Sequence, residues 1–112
     1  MTAEKFINGI YKECVTDQLK IYENLLENTP KATDPTWIDI INIYKNLSVK
    51  EKKSFIDFLK IVEVNTVASI LSIIDGDKPI NNNFLTFELK SESGENMSGD
   101  LTYRFLEKDD LI

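Results

Sequence analysis

The sequence predicts an α+β domain, mostly α: an antiparallel bundle of three to four helices, then a C-terminal β-hairpin and a short terminal helix. Three observations carry this. Residues 48–76 are bracketed by helix start and stop signals and hold 13 apolar residues among the 20 from 55 to 74. Two stretches before them repeat apolar residues at helical spacing. After Gly76 the period changes, and Leu85, Phe87 and Leu89 alternate with Thr86, Glu88 and Lys90, as in a strand with one wet face. At 112 residues the chain reads as a single domain, 1–112, with material for one core.

Residues 2–28 are expected to form the first helix. Phe6, Ile7, Ile10, Tyr11, Cys14, Val15, Leu19, Tyr22, Leu25 and Leu26 make its stripe, with Thr2 as cap and Glu4 in the first turn. Cys14 lies inside the stripe and reads as a small buried thiol. Gly9 costs the helix about 1 kcal/mol and is a candidate for a close helix approach. Residues 28–33 form a loop, because Pro30 turns the residue before it away from helix. Asp34 then caps a second helix with Pro35 at its first position, where the missing N–H does no harm. Trp37, Ile40, Ile41, Tyr44 and Leu47 face inward, while Ile38 and Ile43 lie off that stripe.

The third helix opens with a capping box, Ser48 with Glu51, and closes at Gly76, which tolerates the left-handed conformation. Its apolar character predicts a central, buried element. Val64, Asn65, Thr66 and Val67 are poor helix formers, so a kink or break is expected there. Residues 77–83 are turn-rich, residues 84–90 read as a strand, 91–96 as a tight turn, and a return strand near Met97 completes the hairpin. Leu101, Tyr103 and Phe105 fit a strand. Leu101, Phe105 and Leu106 behind an Asp100 cap fit a short helix, the preferred reading, with residues 107–112 as a frayed tail.

Composition excludes several kinds of chemistry. There is no histidine, hence no ordinary general base near neutral pH, and the one cysteine cannot form an intrachain disulfide. Asp75-Gly76-Asp77 has glycine in the wrong place for a calcium loop, and no phosphate-cradling glycine loop occurs. Lys50, Lys52 and Lys53 read as a solvated face. No enzyme, cofactor or metal site is expected. The net charge of −6 disfavours nucleic acid as a partner. The charge-free run at 64–74 falls short of the ~20 residues that cross a bilayer. The first ten residues lack the apolar core of a signal peptide, so the expected location is cytoplasmic.

Charge distribution is more informative than total charge. Residues 1–74 carry a net charge of −1 and residues 75–112 a net charge of −5. Clustered charge of one sign speeds encounter and selects partners. Asp75, Asp77, Glu88, Glu92, Glu95 and Asp100 are therefore the candidate partner-binding residues, for a basic protein.

The run I-I-D-G at 73–76, the F-x-L at 87–89 and the G-D-L-x-x-x-F at 99–105 resemble the small acidic immunity proteins of bacterial contact-dependent and polymorphic toxin systems. The resemblance implies a non-catalytic protein that binds and neutralises a cationic toxin domain, often a nuclease. The alternative is a small helical regulatory or scaffold domain that self-associates, as a homodimer, through surplus apolar surface such as Ile38 and Ile43.

Overall fold

The computed structural model describes residues 1–29 and 31–108, so Pro30 and the expected tail beyond Lys108, with Asp109 and Asp110, lie outside the described residues. The helices are α1 (Ala3–Tyr11), a π-helical turn (Lys12–Thr16), α2 (Asp17–Asn28), α3 (Pro35–Lys45), α4 (Val49–Asp75) and α5 (Leu101–Leu106). The first three form one continuous rod, matching the first helix expected from the stripe.

The local signals that start and stop these helices act as expected. The Thr2 hydroxyl accepts from the Lys5 N–H, and the Asp34 carboxylate accepts from the Trp37 N–H at 3.1 Å with Pro35 at the first position. Both bonds of the Ser48–Glu51 box are made, at 3.1 and 2.8 Å. They hold the Glu51 carboxyl below the usual carboxylate range. Gly76, at φ +82°, ends α4: its N–H donates to the Ile73 carbonyl, and the Asp77 N–H reaches back to Ser72.

The first rod runs antiparallel to α4 and divides its length between two cores. Around the C-terminal half of α4, Val64 and Leu71 pack with Ile7 and Val15 from the rod and with Leu101 and Phe105 from α5. Around the N-terminal half, Phe55, Ile56 and Leu59 pack against Leu26 of α2 and Ile41 and Tyr44 of α3. The π turn carries Val15, the last contribution of the rod to the first set, and changes the phase of the stripe before Leu26 enters the second. With its two cores set along one helix the molecule is elongated, 47 × 31 × 29 Å. Its radius of gyration is 17.3 Å, against about 13 Å for a round domain of this length.

Three expectations need correcting. The C-terminal β-hairpin is absent: among the described residues there is no strand, only isolated bridges joining Ile80 with Asn83 and Lys90 with Asn96. The return half stops because Ser98 bonds the Leu89 N–H through its side chain, and Gly99 and Asp100 then take φ of +93° and +53°, turning the chain into α5. The fold is therefore helical rather than α+β, and the short terminal helix is present as α5. The break expected at 64–67 does not occur, since α4 is continuous. Val64 is buried while Asn65 and Thr66 face water, where their polar groups need no protein partner. Finally, α4 is central without being buried all round. Phe58, Ile61 and Val62 lie on an exposed face, and Gly9 has no heavy atom near enough to mark a close approach.

Candidate interaction surface

The C-terminal half of α4, α1, α5 and the chain from 77 to 100 form one lobe, and the six candidate carboxylates belong to it by two kinds of role. Asp75 serves the fold. Its two carboxylate oxygens accept from the Leu101 and Thr102 N–H groups at 3.2 and 2.9 Å, capping α5 from the end of α4. Ser72 and Thr102 join the same two helices through their hydroxyls, 3.0 Å apart. Asp100, expected to be that cap, makes no side-chain cap bond because its backbone is left-handed. Glu95 is tied to the Met1 α-amino group, which together with Ser93 holds its carboxyl below the usual range. Glu88 pairs with Lys90 at 3.2 Å on the surface.

Asp77, Glu92 and Asp100 differ: all three are exposed, and none makes an ion pair among the described residues. Elsewhere on this lobe Glu4 binds both Lys108 and Arg104, which lower its pKa, while Glu107 at the end of α5 is exposed and makes no ion pair among the described residues. Three of the lobe's uncompensated acids thus lie along the irregular chain after α4, on the outside of a closed core.

That chain also carries apolar residues in the open. From 84 to 89 it runs without bend, turn or helix, and Phe84, Leu85 and Phe87 are 68%, 49% and 38% exposed. Leu89 anchors the far end against the core, and its carbonyl accepts from the Met97 N–H at 2.7 Å. At the near end the Leu85 carbonyl lies over Gly76, 3.2 Å from where a Cβ on that residue would stand. Alanine at this position would meet both that contact and the positive φ.

The other lobe holds a feature that sequence reasoning missed. An open apolar cleft of about 290 Å³ lies between α2, α3 and α4, lined by Tyr22, Leu26, Trp37, Ile40, Phe55 and Leu59. The Tyr22 and Trp37 rings stack across it with centroids 6.1 Å apart. Tyr22, Leu26, Trp37 and Ile40 fall on the inward stripes of their helices, and Phe55 and Leu59 in the apolar run of α4, a pattern that does not reveal that the three helices fail to close. Beside it the Tyr44 hydroxyl donates to Glu27 at 2.7 Å, and burial, with that carboxylate, pushes the phenol up to about 12. Between the lobes, both Glu63 carboxylate oxygens are shielded from water and unpartnered, and burial raises this carboxyl above the usual range.

Among the described residues no three histidine, cysteine, aspartate or glutamate side chains come together as metal ligands, and no helix is long and apolar enough to cross a membrane. Compared with known protein families, with curated proteins and with solved structures, the chain matches none of them.

Proposed function

We propose that this chain is a non-catalytic immunity protein that acts in the cytoplasm, binding and neutralising a cationic toxin domain through its acidic C-terminal lobe. The observation that carries the reading is the set Asp77, Glu92 and Asp100, exposed and without cationic partners along the chain after α4, where Asp75, Glu88 and Glu95 are engaged. Such a surface attracts lysine and arginine without first breaking internal ion pairs. A nuclease fits as the target, since its substrate groove must be basic. The triple variant Asp77→Lys, Glu92→Lys, Asp100→Lys, mixed with a co-encoded toxin in stopped flow, should associate at least ~10-fold more slowly at low salt while keeping its helical spectrum. An unchanged rate would refute the reading.

A second reading, self-association, is favoured by the exposed face of α4. Phe58 is 60% exposed and Ile61 and Val62 more than 40%, all on one side of the longest helix. Sedimentation equilibrium would then report a dimer that Phe58→Glu converts to monomer.

A further inference from the structure

Residues 84–88 have the sequence of a strand and the setting of one, yet no strand lies beside them. β-branched and aromatic residues at alternating positions favour pairing, and the chain is straight through this run. None of the five backbone N–H groups has a hydrogen-bond partner among the described residues. Leu89 fixes which way they face. Its N–H is taken by Ser98 and its carbonyl by Met97, so its polar groups point toward the return chain. Alternation along an extended chain then turns the backbone groups of Thr86 and Glu88 to the opposite, open edge. The inner edge is closed to newcomers, with Leu85 seated over Gly76 and the return chain leaving at Gly99.

We propose that this run is a strand awaiting its neighbour, and that the neighbour is an exposed strand edge of a cationic protein, added along the outward backbone groups of Thr86 and Glu88. Main-chain bonds would supply the pairing, and the two faces its selectivity. Leu85 and Phe87 offer one apolar face, and Thr86 and Glu88 a polar one, on a lobe that also carries the unpaired acids Asp77, Glu92 and Asp100. A strand alternating apolar residues with lysine or arginine matches both. A second copy of this chain does not, because it would bring two acidic lobes together. The partner's positive charge rests on the function proposed above; the pairing rests on the backbone alone.

The test uses the full-length protein, ¹⁵N-labelled, with a capped octapeptide alternating lysine and valine. Amide exchange at Thr86 and Glu88 should slow at least tenfold on binding, with Leu89 and Met97 unchanged. N-methylating the peptide amides, or introducing Thr86→Pro with an unaltered helical spectrum, should weaken binding at least tenfold. An alternating glutamate–valine peptide should not bind. Equal affinity for the N-methylated peptide, or protection confined to other residues, would overturn the pairing. If Thr86→Pro is harmless while the triple charge reversal abolishes binding, the strand falls and the cationic partner stands. If the reverse holds, the strand stands and the cationic partner falls. A dimer in light scattering that Thr86→Pro dissolves would overturn the choice of partner.

Discussion

At the C-terminal end of α4, Ile7, Val64, Leu101 and Phe105 are wholly removed from water, whereas at its N-terminal end Leu26, Trp37, Ile40 and Phe55 line an open cleft. The same helix serves both ends, so the difference lies in what covers it. The closed end is covered by chain from both termini. The rod's first turns and α5 meet there, joined by Glu4 with Arg104 and Lys108 and by Met1 with Glu95, and fixed to α4 through Asp75. The open end has only α2 and α3, whose aromatic rings stack on each other rather than descending into the gap. One end is thus a stiff platform and the other a yielding one. The exposed acids and the unpaired run at 84–88 belong to the closed end, where Leu89 on the core and Leu85 over Gly76 hold the two ends of the run.

The contrast can be broken most forcefully by emptying each core in turn. Phe105→Ala should cost about 3–5 kcal/mol in denaturant unfolding, while Leu26→Ala should fall near the low end of the ~2–5 kcal/mol range because its site can collapse into the cleft. Equal losses would mean that the two ends are equally well packed. Cutting the link between α4 and α5 is the next step down. Asp75→Ala strips the cap from two backbone N–H groups and should cost about 1–2 kcal/mol, whereas Asp100→Gly, which removes the side chain and suits the left-handed backbone, should cost less than about 0.5 kcal/mol. If Asp100 proves the more costly, α5 is held by its own cap after all.

Glu63, between the two ends, gives a smaller effect than Asp75 and one of opposite sign. Replacing its shielded carboxylate by methionine should stabilise the protein by about 1 kcal/mol at pH 7. Its folded pKa is raised by burial. The stability it contributes is therefore fully present below the unfolded value and is lost as pH rises through the folded one. Glu63→Gln should accordingly gain on the parent at neutral pH and lose that advantage on acidification. A constant difference across pH would show the carboxyl to be solvated.

What was legible in the sequence was local. Thr2, Asp34 with Pro35, Ser48 with Glu51, and Gly76 each act within four residues, so their patterns specify geometry directly. The hairpin was misread because alternation in residues 84–90 reports a strand's faces and says nothing of whether a mate exists, which Gly99 and Asp100 decide. The expected break in α4 failed because the propensity costs of Asn65 and Thr66 are a few tenths of a kcal/mol each, small beside the packing of Val64 and Leu71. The division among the candidate acids was hidden for the same reason as the cleft. Asp75 caps residues 26 and 27 positions away, and the three helices around Trp37 meet only in space.

Residue-resolved amide exchange of the free protein bears most directly on the stiff lobe and its bare strand. The N–H groups of Leu101, Thr102 and Met97 should exchange slowly, and those of residues 84–88 at nearly the unprotected rate. Slow exchange across 84–88 would mean that the strand already has a partner, and would contradict the reading of this surface as one that is waiting for another protein.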